Sequence, residues 1–206
     1  YKIENEHVTT MISLTCAVEP ADWQACLDRA AQSPNGMAAL GVHPWYLEDL
    51  PEDWRERLEV LLQSHNNCFV GEIGLCKMAR FVRSYKDGKT AALALQRRVF
   101  AEQLQLAAKY KRPVSVHCVS QHGVLFEMLQ DLKEYPPAIA LHSFTGTAHH
   151  VQKLLRWEDS LKLATPLLYF GFSHTVNYAI CSSDKSRRAG LNAIQAVPRD
   201  RLLAES

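Results

Sequence analysis

The sequence Cys68-Phe69-Val70-Gly71-Glu72-Ile73-Gly74-Leu75 decides the fold, because it is an apolar run of strand length that carries one carboxylate. The apolar residues of the next segment, 90–110, have helical spacing, and residues 113–119 form a second strand-like run. A strand, a helix and a further strand in this order predict two parallel strands that are joined by a crossover helix.

The same alternation continues on both sides of this unit. The predicted strands are residues 10–17, 37–42, 68–75, 113–119, 138–143, 167–172 and 201–205. The predicted helices are residues 21–32, 52–64, 90–110, 122–133, 148–157 and 186–196. The pattern predicts an α/β protein with a parallel sheet, and one further strand at the start would give the eight strands of a (β/α)8 barrel.

Composition limits the possible classes of protein. The 206 residues, 47% of them hydrophobic, can bury one sizeable core, so we expect residues 1–206 to form a single domain. The net charge is only +1, so no overall charged field indicates a partner. The six cysteines are scattered, which is typical of reduced thiols in an intracellular protein, cytoplasmic or nuclear. Neither a membrane span nor a secretion signal is visible.

Four polar residues that are costly to bury lie near the carboxyl ends of predicted strands: His43, Glu72, His117 and His142. Side chains alternate along a strand, so Val70 and Glu72, for example, should share one face. The carboxyl ends of parallel strands meet at one mouth, where (β/α) barrels place their chemistry. A carboxylate and imidazoles that converge there suit divalent metal ions, which can activate water for hydrolysis. Taken singly, a buried histidine is more often a hydrogen-bonded core residue than a ligand, and the coincidence of four such positions is what favours a metal site.

Several motifs resemble, in the same order along the chain, the signatures of the TatD-type deoxyribonucleases. They are Gly41-Val42-His43-Pro44-Trp45, Gly71-Glu72-Ile73-Gly74-Leu75, the helix pattern Gln96 to Phe100 followed by Gln103-Leu104 and Ala107, Pro113-Val114-Ser115-Val116-His117-Cys118, His142-Ser143-Phe144-Thr145-Gly146 and Arg201-Leu202-Leu203-Ala204-Glu205-Ser206. Residues 169–173, together with Val176 and Asn177, resemble the fungal branch of this family.

The resemblance implies a TIM barrel of the metal-dependent hydrolase superfamily. Such a protein would cleave the phosphodiester bonds of DNA, commonly as a 3′ to 5′ exonuclease, with a metal-activated water and two divalent metal ions (Mg, Mn or Zn). By position, Glu72, His117 and His142 would bind metal, and His43 would contact a substrate phosphate. Glu205 corresponds to the acidic residue directly before the family's metal-binding, water-activating Asp, and joins Glu72 and His43 as a catalytic candidate. DNA is the expected partner, no membrane association is expected, and the oligomeric state is left open.

Some features depart from the family's pattern. The His-x-His pair of the family's first strand has no counterpart, because His7 lacks a partner at the right spacing, and the family's Asp would follow Ser206. We therefore expect a barrel that lacks its first strand and its extreme C-terminus. Cys76 takes the place of the usual Asp, and Val119 takes the place of a frequent Arg. Cys76 is either a soft metal ligand or a small residue at the strand end.

Three further features have two interpretations each. Trp45, with Tyr46 beside it, would either stack on a base or pack against the barrel rim. His174 would reach the substrate, or simply follow its strand. Residues 77–89 lack periodicity and are predicted to form a long loop, whose basic residues either hold a nucleic-acid backbone or are merely solvated. These residues are Lys77, Arg80, Arg83, Lys86 and Lys89.

Two alternative functions stay open on the sequence alone. The same barrel and metals would also suit hydrolysis of a small amide, lactone or nucleobase. Alternatively, the barrel has lost catalysis and serves as a partner-binding scaffold, an interpretation that Cys76 and Val119 favour.

Overall fold

The protein is built on a sheet of seven parallel strands, seen in a computed structural model that describes residues 12–181 and 183–205. In the sheet the strands follow one another in chain order, and each neighbouring pair is parallel. The predicted parallel α/β architecture is therefore confirmed. The strands are β1 (Ser13–Cys16), β2 (Gly36–Leu40), β3 (Cys68–Cys76), β4 (Val114–Val119), β5 (Ile139–His142), β6 (Leu168–Ser173) and β7 (Leu202–Glu205).

Helices connect the successive strands, as the alternating pattern predicts. They are α1 (Trp23–Ala31), α2 (Trp54–Ser64), α3 (Arg80–Ser84), α4 (Gly88–Lys109), α5 (His122–Gln130), α6 (Ala148–Leu161) and α7 (Asp184–Ala196). Short 3-10 turns at Pro20–Asp22 and Arg199–Arg201 and a π-helical turn at Thr175–Ala179 complete the described elements.

The sheet curls like part of a barrel but does not close. Within the described residues, β1 and β7 each pair with one strand only, so both are edge strands. This agrees with the expected barrel that lacks a strand. Residues 10 and 11 of the first predicted strand, His7 and Ser206 lie outside the described residues.

The prediction of a continuous loop over residues 77–89 is wrong. This segment contains α3 and the first turn of α4, which begins at Gly88. The reason is that Phe81 and Val82 are only 3% and 1% exposed and anchor a helix of five residues in the core. Such a helix is too short to show a helical period in the sequence.

Two buried glutamines of α4 fix this helix against the ends of the strands. Gln103 accepts the Val42 N–H at 2.7 Å and donates to the Val42 carbonyl at 3.2 Å. Gln96 accepts the Cys76 N–H and donates to the carbonyls of Cys76 and Pro44, each at 3.0 Å. Because buried polar groups need partners, these bonds set both the height and the rotation of α4 on the sheet.

Candidate metal centre

The carboxylate of Glu72 lies where the ends of four neighbouring strands meet. Its Oε1 atom is 3.1 Å from Nδ1 of His117, 3.6 Å from Nε2 of His43 and 3.9 Å from Nε2 of His142. Glu72 belongs to β3, His117 to β4 and His142 to β5, and His43 follows β2. The structure thus brings together the four polar residues that the sequence predicts at this mouth.

Glu72 reaches this point through an irregularity in β3. The register between β3 and β4 shifts between Val70 and Ile73, and the Gly71–Glu72 peptide bond is cis. The Glu72 N–H donates to the carbonyl of Ala17, which follows β1, at 3.0 Å. Because the register shifts here, the regular alternation predicted from Val70 to Glu72 is interrupted, and alternation alone does not explain why the carboxylate points into the mouth.

Gly74 keeps β3 close to β4 beside this irregularity. Its φ angle is +146°, and a Cβ atom at this position would lie 1.9 Å from the carbonyl oxygen of His117. Only glycine tolerates such a backbone conformation and such an approach. The position of His117 relative to Glu72 therefore depends on a residue that bears no side chain.

Glu205, at the end of β7, orients His142. Its Oε2 atom is 3.1 Å from Nδ1 of His142 and accepts the Ser143 hydroxyl at 2.7 Å and the Ser143 N–H at 3.0 Å. Gly171 makes room for this carboxylate, because a Cβ atom there would lie 1.7 Å from Oε1 of Glu205. With Nδ1 held by Glu205, His142 turns Nε2 towards Glu72.

The surroundings of Glu72 keep its carboxyl group ionised. Burial would raise the pKa of Glu72, but hydrogen bonds with His117 and His43 and the charge of His142 outweigh burial and hold the pKa well below its usual range. Burial lowers the pKa of His43. Although burial acts in the same direction on His117, its interactions with Cys76 and Glu72 raise the pKa of this imidazole to about 9. The negative charge of Glu72 is thus balanced by His117.

An aromatic rim covers one side of the centre. Trp45 is 52% exposed, its ring lies edge-on 5.4 Å from the ring of His43, and its indole N–H donates to the sulfur of Cys76 at 3.2 Å. Tyr46, next to it, is 43% exposed. Cys76 itself is buried, and the sequence alone did not reveal that it joins Trp45 to the mouth.

The remaining sequence candidate, His174, lies further out. It directly follows β6, is exposed, and packs its ring against Tyr178 at 5.4 Å. Among the described residues it forms no hydrogen bond or ion pair with the Glu72 cluster. Ser143, which holds Glu205, was missed by sequence reasoning, since a serine after a strand gives no signal of its own.

The donor set fits a divalent cation. Glu72 and His117 offer ligand atoms within 4.8 Å of one another, with a ring nitrogen of His43 in the same range, and His142 approaches the same carboxylate oxygen at 3.9 Å. Imidazole nitrogen and carboxylate oxygen are ligands that Zn and Mn accept, and carboxylate oxygen also suits Mg. The second nitrogen of His142 is held by a carboxylate, as is usual for a metal-binding histidine.

Comparison with known proteins places this arrangement in a family. The family described as TatD related DNase matches residues 1–206, the whole sequence. The chain belongs to the TatD-related DNase family. The expected family is therefore confirmed.

Individual relatives agree with the family. The chain is 30% identical over 201 residues to a protein of Dickeya dadantii named 3′-5′ ssDNA/RNA exonuclease TatD, covering 97% of this chain and 66% of the relative. It is 26% identical over 203 residues to the Cut9-interacting protein scn1 of Schizosaccharomyces pombe, covering 80% of this chain and 56% of the relative. The chain thus spans between about half and two thirds of the length of these TatD relatives.

A solved structure supports the same fold. The crystal structure of YJJV, a TatD homologue from Escherichia coli, matches with a TM-score of 0.74 at 25% identity, covering 94% of this chain and 66% of that one.

Among the described residues of the present chain, no helix combines the length and the apolar character that crossing a bilayer requires.

Proposed function

We propose that this TatD-family protein is a metal-dependent hydrolase that cleaves the phosphodiester bonds of DNA, removing nucleotides in the 3′ to 5′ direction. The observation that carries the proposal is the convergence of three imidazoles on one ionised carboxylate at the mouth of the sheet. The name of the Dickeya relative, an exonuclease of single-stranded DNA and RNA, supports this choice of substrate class.

The proposed ligands are Glu72, His117 and His142, and each has a physical basis. Two divalent ions, Mg, Mn or Zn, would polarise the phosphate and lower the pKa of a water molecule. Glu72 supplies an anionic oxygen at neutral pH, because its pKa is held low. Glu205 lies at hydrogen-bond distance from Nδ1 of His142, so Nε2, the nitrogen nearer Glu72, is the one that would bind metal.

His43 has a different role in this proposal. Its Nδ1 atom accepts the N–H of Trp45 at 3.2 Å, so the proton of the neutral ring is on Nε2. Nε2 lies 3.6 Å from Oε1 of Glu72 and faces the centre. A protonated Nε2 donates rather than ligates, and we therefore assign it to a phosphate oxygen of the substrate.

The rim completes the proposed binding site. Trp45 offers a half-exposed indole face on which a base can stack. His174 approaches the substrate from the β6 side.

The six cysteines are all free, which supports an intracellular location.

Cleavage of a labelled oligonucleotide tests the proposal. A single-stranded DNA of about twenty nucleotides, labelled at its 5′ end, is incubated with the full-length protein and Mn²⁺, and the products are separated by length. We expect a ladder of shortened products and a loss of at least about 100-fold in rate for Glu72→Gln, since this substitution removes a charged ligand at constant size.

The matched control is Glu59→Gln, which removes a surface carboxylate that is paired with Lys109. This variant should cleave like the parent protein. An oligonucleotide that stays intact with Mg²⁺, Mn²⁺ and Zn²⁺ alike, or a Glu72→Gln variant of undiminished activity, would refute the proposal.

A further inference from the structure

The segment 77–89 concentrates positive charge in a protein whose net charge is only +1. Its five cations share two properties: each is exposed, and none forms an ion pair among the described residues. They are Lys77, Arg80, Arg83, Lys86 and Lys89, called the basic segment below. Asp87 is the one carboxylate in this stretch, while the whole chain carries only +1.

The basic segment begins at the rim of the metal centre. Lys77 directly follows Cys76, the last residue of β3, and its N–H donates to the carbonyl of Val119 at the end of β4, at 3.1 Å. These two strands carry Glu72 and His117. The first cation of the segment is thus attached to the same strand ends as the candidate ligands.

From the rim the segment rises away from the sheet. In α3, Phe81 and Val82 are buried, so Arg80 and Arg83 face outwards. Gln96 of α4 is hydrogen-bonded at the level of Cys76, and α4 begins eight residues earlier at Gly88. At 1.5 Å per residue, the start of α4 is about 12 Å above that level. Lys86 and Lys89, at the start of α4, therefore lie beyond the same carboxyl ends of the strands at which the mouth is found.

Trp45 links the centre to the basic segment, because its indole N–H donates to Cys76, the neighbour of Lys77. Trp45 also lines another side of the rim, which has a different charge. A cavity of about 460 Å³ there is lined by three carboxylates and one guanidinium, in addition to apolar residues. The charged groups are Glu19, Glu48, Asp49 and Arg57. That side repels a polyanion, whereas the basic segment attracts one.

We propose that the basic segment binds the phosphodiester backbone of a single-stranded nucleic acid and leads it across Trp45 to the metal centre. The metal ions neutralise only the phosphate that reacts, and the flanking phosphates need cations of the protein. An aromatic face beside a row of cations is the combination by which single strands are bound without sequence preference. This inference rests on the proposed function and adds the path of the substrate.

Binding without cleavage tests this path directly. The probe is a fluorescent 20-nucleotide single-stranded DNA, and its anisotropy is followed in EDTA at several salt concentrations, so that only the protein's own cations act. The test variant of the full-length protein combines Lys77→Gln, Arg80→Gln and Arg83→Gln. Each phosphate contact of a single strand contributes about 0.7 to the slope of log affinity against log salt, so we expect the slope to fall by about 2 and the affinity at low salt to fall at least tenfold.

The matched control removes the same charge from the opposite end of the sheet, where the strands begin. Lys111, Lys133 and Lys162 are exposed and precede β4, β5 and β6, and their triple replacement by Gln should leave affinity and slope unchanged. Equal losses in both triple variants, or no loss in the test variant, would overturn the inference.

A cleavage assay separates this inference from the proposed function. With Mn²⁺ and sub-saturating substrate, the test variant should lose at least tenfold more rate on the 20-nucleotide strand than on a trinucleotide, which can reach only the first cation of the basic segment. If the parent protein cleaves neither substrate, the proposed function is contradicted, but the inference about the basic segment is not. The anisotropy measurement in EDTA still decides whether the basic segment binds the strand. Equal slowing on both substrates contradicts the path.

Discussion

Cys76 joins the metal centre to its aromatic rim through one weak acceptor. Its sulfur accepts the indole N–H of Trp45 at 3.2 Å, and it also interacts with the ring of His117. Burial would raise the pKa of this thiol, but the contacts with His117 and Trp45 outweigh burial and lower the pKa. The sequence left two interpretations of Cys76 open, a small strand-end residue and a soft metal ligand. The structure adds a third, in which Cys76 positions Trp45.

Cys76→Ala should release Trp45 while leaving the fold intact. The indole loses its acceptor, so its N–H resonance in a ¹⁵N–¹H spectrum should move towards that of a water-exposed indole, and the free energy of unfolding should fall by only about 1 kcal/mol. Cys76→Ser, which keeps an acceptor, should hold the resonance near its original position. The same resonance in both variants and the parent protein would mean that the sulfur does not hold the indole.

The ligand candidates were predictable one by one, whereas their supports were not. Glu72, His117 and His142 stand out because each is a polar residue near the carboxyl end of an apolar run. Ser143 is different: its bonds to Glu205 exist only because Gly171, on another strand, leaves room for that carboxylate. Such a pairing depends on three strands at once, and no local pattern records it.

Helix α4 is the element that carries the geometry of the mouth. Through Gln96 it connects the end of β3 with the loop that follows β2, since the amide binds both Cys76 and Pro44. The sequence predicts this helix to within two residues at its start and one at its end. It does not predict the polar clamp, because a glutamine within an amphipathic helix is most often on the solvent face.

Gln96→Leu should destabilise the protein and disturb the mouth. The substitution removes the partners of the Cys76 N–H and the Pro44 carbonyl and leaves the Cys76 carbonyl with only the Ala79 N–H at 3.4 Å, which costs about 2–4 kcal/mol in the free energy of unfolding. Denaturation in urea measures this loss. Gln24→Leu, at an exposed amide that bonds only Asp28 one turn away, is the control and should change stability by less than about 0.5 kcal/mol. A Gln96 variant as stable as the Gln24 variant would show that the clamp is dispensable.

The parallel arrangement of the whole sheet explains how residues that are far apart in the sequence form one centre. Because all seven strands are parallel, their carboxyl ends meet on one side, and ligand candidates as distant in the chain as Glu72 and His142 need no connecting loop. Buried residues from the sheet and from α1, α2, α4, α5 and α6 join one core, and we propose on this basis that residues 1–206 form a single domain. The parallel strands followed from the alternating pattern and the missing barrel strand from the family resemblance, but the pairing and register of neighbouring strands required coordinates.

Metal binding should stabilise the whole protein, since a cation that binds only the folded state shifts the unfolding equilibrium by mass action. At a free concentration of 100 times the dissociation constant, one ion adds about 2.7 kcal/mol. For a protein of this size, that corresponds to a rise in melting temperature of roughly 5–10 °C. Differential scanning fluorimetry with Mn²⁺ or Zn²⁺, each compared with EDTA, measures the shift.

The shift should vanish in Glu72→Gln and persist in Glu59→Gln, because only the first substitution removes the carboxylate on which three imidazoles converge. Stabilisation of equal size in both variants would locate the bound ion elsewhere on the protein. Stabilisation in neither the variants nor the parent would mean that the cluster stays an ion-paired network of Glu72 and its histidines, and the fold would then lack the cation on which hydrolysis depends.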